Sequence, residues 1–388
     1  MDPLLKWRTE FPVVDTCTYL VSHSLGAMPT RARAHLQAFA DQWDERGVRA
    51  WHEGWWEIGR ETGNLLAPIL GVPRDTVTMH QNATVAQSVV ASCFSFDGPR
   101  NRIVLQDLDF PTNHYLFEGF RRYGAEIVYV KSDSALRAPL DRLIESIDDR
   151  TMLVPLSLVL FRSACLQDVR PVVEQAHRVG AHVVLDVYQA VGTVPMNLTE
   201  LGVDFAVGGS VKYLCGGPGA GYLYVRPDLI NRLRPSVVGW AGHVAPFGFE
   251  TGAIRYADGI ERFQSGTPNV PALASARAGY EIVAEIGVPA IREKSLRLTR
   301  RLMDAARDRG WRLNTPDRDA ERGGSVIIDV PQADRATDEL LRRQILVDYR
   351  PGAGIRLAPH FYSSDADIDA AVSALDDITA HSNLQARR

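Results

Sequence analysis

Gly209-Ser210-Val211-Lys212-Tyr213-Leu214-Cys215-Gly216-Gly217-Pro218-Gly219 places one lysine in a glycine-rich turn. Just before it, Asp204-Phe205-Ala206-Val207-Gly208 is a short apolar run of the kind that forms a buried strand. A lysine so close to a buried strand end is costly to desolvate unless its amine has a task. An amine with a lowered pKa can form a Schiff base with an aldehyde cofactor. Ser210 could bond a phosphate there, and the glycines would let backbone approach it closely. Taken alone, the stretch fits a surface lysine in an ordinary turn equally well.

The preceding strand-like run, His182 to Leu185, is closed by Asp186 and followed by Val187-Tyr188-Gln189. A carboxylate at a buried strand end needs a partner. The protonated ring nitrogen of pyridoxal phosphate would be one, and an aspartate capping the next turn is the plain alternative. Order favours the cofactor: an acid ends one strand and the lysine follows the next, on the same sheet edge. Ile103 to Leu105, Ala125 to Lys131 and Met152 to Leu160 read as further buried strands. The amphipathic stretches Leu140 to Ile147 and Val169 to Val179 lie between them. Apolar strands separated by helices predict an α/β fold with a mostly parallel sheet between helices. Ligands of such sheets sit beyond the carboxyl ends of the strands.

Beyond about residue 270 the pattern changes. Pro271 to Arg309 is helical and charged, Val326-Ile327-Ile328 is a strand, and Thr337 to Leu346 is a helix. A strand at Ile355 to Leu357 follows, then a terminal helix opened by Ser364 and its acidic first turn. This predicts a small α+β domain ending in a tail from Leu384 to Arg388. The expected division is a large domain over 15–265 and a small one built from 1–14 and 266–388.

The chain has 388 residues, with 43 Lys+Arg against 47 Asp+Glu and a net charge of -4. No basic surplus marks a general nucleic-acid binder. Cys17, Cys93, Cys165 and Cys215 make neither a disulfide framework nor a zinc pair. The apolar run Met152 to Phe161 is far shorter than the roughly 20 residues a membrane span needs. The first residues hold no signal-peptide core. The expectation is a cytoplasmic globular protein.

Five ordered segments carry a resemblance. They are Ser22-His23-Ser24-Leu25-Gly26, Phe110-Pro111-Thr112-Asn113, Lys212 to Gly219, Gly239-Trp240-Ala241-Gly242-His243, and Arg262-Phe263-Gln264-Ser265-Gly266-Thr267. Over nearly its whole length the sequence resembles pyridoxal-phosphate enzymes of fold type I. Within them it is similar to the class V aminotransferase superfamily and its kynureninase-like branch. The resemblance implies a seven-stranded-type sheet and assigns roles. Lys212 would form the Schiff base and move protons at the substrate α-carbon. Asp186 would keep the ring nitrogen protonated, and Phe110 would stack on the ring. Ala83, Thr84 and Ser210 would hold the phosphate, with Asn113 and Gln189 also at the cofactor. Trp240 and Thr267 would reach it from the second subunit of a homodimer. Arg356 would bind the substrate carboxylate, its flanking Ile355 and Leu357 otherwise suggesting a snorkelling side chain.

Departures from the kynureninase pattern bear on the reaction. Val211 replaces a tyrosine before the lysine, Asn113 replaces an aspartate, and Asp186-Val187-Tyr188-Gln189 replaces Asp-x-x-His. Arg162-Ser163-Ala164 also departs from the usual Arg-Thr/Ser-Gly. The expectation is lyase or hydrolase chemistry that breaks a C–C or C–S bond in the substituent of an α-amino acid. Transamination, suggested by Gln189, is the alternative, ahead of a cysteine desulfurase or a non-catalytic relative. A desulfurase needs a mobile nucleophilic cysteine, and Cys215 follows Lys212 too closely for that. Trp51 and Trp55 share one helical face and His52 and Trp56 another, which predicts helix packing more readily than a substrate wall. His23, His114 and His243 are candidate acid–base groups, and no metal-ligand spacing occurs among the ten histidines.

Overall fold

The computed structural model describes residues 2–385. Its strands in sequence order are β1 (Thr18–Tyr19), β2 (Val77–His80), β3 (Arg102–Gln106), β4 (Glu126–Val130), β5 (Thr151–Ser157), β6 (His182–Asp186) and β7 (Phe205–Gly209). Then follow β8 (Gly221–Val225), β9 (Arg312–Leu313), β10 (Val326–Asp329), β11 (Ile345–Leu346), β12 (Asp348–Arg350) and β13 (Gly354–Leu357). Seven of them form one sheet in the order β2-β8-β7-β6-β5-β3-β4. β8 runs antiparallel to both of its neighbours, β2 and β7, and the other pairings in this sheet are parallel.

Both faces of the sheet are covered, which explains the unbroken apolar runs. Along β6, Val183 and Leu185 pack in one layer with Val172, Val173 and Ala176 of helix Arg170–Val179. Val184 packs in the other, with Val89 and Val90 of helix Ala83–Ala91. Each fully buried aliphatic side chain of this kind contributes about 1.5–3 kcal/mol. β5 enters between β6 and β3 after the polypeptide has visited the outer strand β4, so the direction of travel across the sheet reverses there. A crevice at the carboxyl ends follows from that reversal.

The four-stranded antiparallel sheet β12-β13-β10-β9 carries a second core with helices Val288–Asp308, Ala333–Arg342 and Asp365–Gln385. Leu20 joins this core, and β1 pairs with β11 in parallel. Helix Val270–Ile286, expected with the small unit, contributes Leu273, Tyr280 and Ile282 to the larger core, as Phe11 and Val14 also do. Gly287, at φ 83, then breaks the helix and starts the next one. The helix expected at Thr337 to Leu346 lies four residues earlier, because Gln344 turns left-handed (φ 59) and delivers Ile345 and Leu346 to β11. The expected tail begins inside helix Asp365–Gln385, and 386–388 lie outside the described residues. Among the described residues no helix is long and apolar enough to cross a membrane.

Candidate active site

β5 and β6 end in register at Ser157 and Asp186, and β7 ends beside them at Gly209. Lys212 follows one turn later. A cavity of about 180 Å³ opens at this edge, lined by these two side chains of β5 and β6 together with Phe110, Val159, Phe161, Tyr188, Gln189 and Lys212. Lys212 Nζ lies 4.3 Å from the Tyr188 ring centroid and 5.7 Å from that of Phe110.

Burial brings the Lys212 amine down to about 8, Asp186 opposing and Arg356 and Arg350 assisting. The buried Asp186 carboxyl is pushed up by desolvation, against the Tyr188 N–H it accepts at 2.8 Å and the Lys212 charge. One group thus sheds its proton easily, and the other gains most from a cationic partner. Behind them Asp109 is pushed up to about 7 by burial, although Gln106 Nε2 and the Ser157 N–H both donate to it at 2.8 Å.

Two glycines make the turn possible. A Cβ on Gly26 would sit 2.1 Å from Lys212 O, and one on Gly209 would sit 2.3 Å from the Tyr188 hydroxyl. The Gly26 N–H donates to Val211 O at 2.6 Å, and the Cys215 N–H closes the turn on Lys212 O at 3.0 Å. Cys215 is left-handed, at φ 53, a region that asparagine enters more readily than cysteine. His360 Nε2 donates to Tyr213 O at 2.8 Å from within the second unit.

The other expected residues divide. Asn82 caps helix Ala83–Ala91 by accepting from Val85 N–H, which leaves the first-turn N–H groups of Ala83 and Thr84 outside the helix ladder. The Thr84 hydroxyl lies 3.4 Å from that of Thr112, at the start of the helix that follows Phe110. Gln189 lines the cavity and donates to His23 O at 3.2 Å. Asn113 is buried away from the cavity, accepting from Gln87 Nε2 at 2.9 Å. Ser210 is bonded within the protein. Its hydroxyl is buried, donates to Ala220 O at 2.6 Å and meets the Tyr280 hydroxyl at 2.6 Å, so its proton is already used. Arg356 is buried and paired with Asp348, its direct cross-strand neighbour.

Trp240 and Thr267 are not among the residues that line the Lys212 cavity. They line a separate cavity of about 430 Å³ with Trp51, His52, Trp56 and Phe247. The expected helix over Trp51 to Trp56 is a 3-10 turn followed by irregular turns. Trp55 stacks on Phe39 at 5.1 Å and Trp56 faces Trp240 at 4.9 Å, while Trp51 both meets Trp55 at 5.3 Å and lines the cavity. His114 stacks on Tyr129, and His243 Nδ1 accepts from Ala245 N–H, so neither faces Lys212. His23 is buried against Asp348. Tyr188, Phe161, Asp109 and Asp348 went unpredicted; the hairpin Asp348-Tyr349-Arg350-Pro351-Gly352-Ala353-Gly354-Ile355-Arg356 held a signal for the last, by placing acid opposite base.

Residues 18–352 match the family described as aminotransferase class V. The protein belongs to that family. It is accordingly a pyridoxal-phosphate-dependent enzyme with kynureninase-like relatives. A kynureninase of Bacillus anthracis is 32% identical over 374 residues, 92% of this sequence and 87% of that one. Those of Deinococcus radiodurans and Pseudomonas fluorescens are 31% and 29% identical, covering 96% and 97% of this sequence and 93% and 92% of theirs. A cysteine desulfurase of Thermococcus onnurineus shares the fold, with TM-score 0.86, 17% identity and coverage of 97% of this protein and 98% of that one.

The cofactor fits the donor set. A buried amine and an under-partnered buried acid flank a cavity walled by aromatic rings, and helix N-terminal N–H groups stand near two threonine hydroxyls, as a phosphate requires. No cysteine is activated: burial pushes Cys93 to about 12 and Cys165 to about 11, and raises Cys17 and Cys215.

Proposed function

We propose that this protein breaks a C–C bond in the substituent of an α-amino acid in the manner of a kynureninase. The observation that carries the reading is the buried Lys212–Asp186 pair at the sheet edge, in a sequence similar over nine-tenths of its length to kynureninases. Pyridoxal phosphate, when bound, supplies the electron sink for bond breaking at the amino-acid carbons. The residues provide the rest. Lys212, with its amine near pKa 8, takes and returns the α-proton at working pH. Asp186 holds a proton on the ring nitrogen. Phe110 packs on the ring, and Ala83 and Thr84 bind the phosphate. Arg356 receives the substrate carboxylate.

The large unit of this reading includes helix Val270–Ile286. Trp240 and Thr267 act at the site of a second copy, making the enzyme a homodimer, and it works in the cytoplasm. Gln189 in place of histidine, and a cavity wall of Phe110, Phe161 and Val159, favour a substrate other than kynurenine itself among amino acids of this class. Transamination is the second reading, on the strength of Gln189.

Mass spectrometry separates them. Pyridoxal-phosphate-loaded enzyme is incubated with L-kynurenine and a panel of α-amino acids carrying an aryl ketone at the γ-carbon, the carbonyl that takes up water as the Cβ–Cγ bond breaks. Release of L-alanine with the fragment derived from the substituent is the expected result. A keto acid with stoichiometric consumption of the aldehyde form of the cofactor would contradict it.

A further inference from the structure

Arg356 is already held on most of its hydrogen-bonding perimeter. Nε and Nη2 donate to the two carboxylate oxygens of Asp348 at 2.7 and 2.5 Å, and Nη1 donates to Phe161 O at 2.9 Å. A guanidinium has five N–H groups in a planar fork. The two left over belong one to Nη1 and one to Nη2, the spacing a carboxylate needs for a paired bond. Asp348 is itself fixed. It faces Arg356 as a direct partner across β12 and β13, accepts from buried His23 Nε2 at 2.9 Å, and pairs with Arg350 at 3.1 Å. Phe161 lines the Lys212 cavity, so the arginine is fastened from the small sheet on one side and from the cavity wall on the other.

We propose that Asp348 is a positioning residue that gives the enzyme its preference for a substrate α-carboxylate, by holding Arg356 at one angle beside the Lys212 cavity. This rests on the cofactor and substrate reading above. Without Asp348 the guanidinium regains the rotamer freedom of a long side chain and stands beside Arg350 with no intervening charge. A substrate carboxylate would then meet a mobile partner and would itself have to order it. The arrangement differs from simple competition, in which Asp348 would merely block the arginine and its removal would tighten carboxylate binding.

L-phenylalanine and 2-phenylethylamine, identical but for the carboxylate, are titrated into pyridoxal-phosphate-loaded protein while the absorbance of the lysine–cofactor band is followed. The wild-type enzyme is expected to prefer the acid by about tenfold or more. Asp348→Asn lowers that preference by about fivefold while the amine's affinity stays within about twofold. Asp348→Glu, which keeps the charge one methylene further out, falls between the two and serves alone should Asp348→Asn not fold. An unchanged preference, tighter acid binding, equal weakening of both probes, or a wild-type enzyme blind to the difference would each overturn the assignment. A wild-type protein with no lysine–cofactor band sinks the cofactor reading as well. A normal band with an unchanged preference sinks this inference alone.

Discussion

Asp186 and Asp204 are buried aspartates at opposite edges of the same sheet, one closing β6 and the other just before β7. Asp204 accepts from the Val183 N–H at 2.8 Å, His182 Nδ1 at 3.1 Å and His177 Nε2 at 3.0 Å, with Arg226 Nη1 at 3.1 Å. Burial raises its pKa, but these bonds and charges outweigh that and leave it below the usual value. Asp186 accepts from one backbone N–H and is left above it. The same type of residue, buried in both places, is saturated at one edge and under-partnered at the other. A saturated acid holds strands together, whereas an under-partnered one has capacity left for a ligand.

Several substitutions can break that contrast. Lys212→Ala should lower turnover of any accepted amino acid by about four orders of magnitude, with the fold intact by circular dichroism. Asp186→Ala should lower kcat by about 10²–10³-fold while thermal stability changes little. A loss of folding instead would mean that Asp186 is as structural as its counterpart.

Asp204→Asn tests the other edge. Leaving His177, His182 and Arg226 without their shared negative charge should cost about 3–5 kcal/mol in urea denaturation, with kcat per folded molecule unchanged. The pH dependence has a definite sign. Because the folded pKa is lowered, the stabilisation is full above the unfolded value of about 4 and disappears as pH falls through the lower folded value. The gap between wild type and variant should therefore be constant from about pH 6 to 8 and narrow below about pH 4. A gap that widens in acid would contradict the arrangement.

Ser210→Ala gives the smallest effect. It should cost about 1–2 kcal/mol through the lost bonds to Ala220 O and Tyr280, and leave cofactor affinity within about twofold. A cofactor affinity reduced about tenfold would restore the phosphate role expected from the sequence.

The parallel strands and the Lys212–Asp186 pair were legible because their signals are local: unbroken apolar runs, and polar residues where those runs end. β8, Gly-Tyr-Leu-Tyr-Val, was not legible because an antiparallel strand following β7 needs no crossover helix between them to announce it. The Ser210–Tyr280 contact was not legible because Tyr280 lies seventy residues away, on a helix expected in the other unit. Arg356 was legible as a buried base, but its orientation depends on His23 and Phe161, brought together only by the meeting of the two sheets. The structure also sends Trp55 into packing and Trp56 to a cavity wall, with Trp51 taking part in both, an arrangement set by Phe247 and Trp240 far along the sequence.

Borohydride reduction of the pyridoxal-phosphate-loaded protein, followed by digestion and peptide mass spectrometry, tests the central claim most directly. The account predicts a single pyridoxyl-modified lysine, Lys212, and no label in Lys212→Ala. Label on another lysine, or none on the wild-type protein, would contradict it.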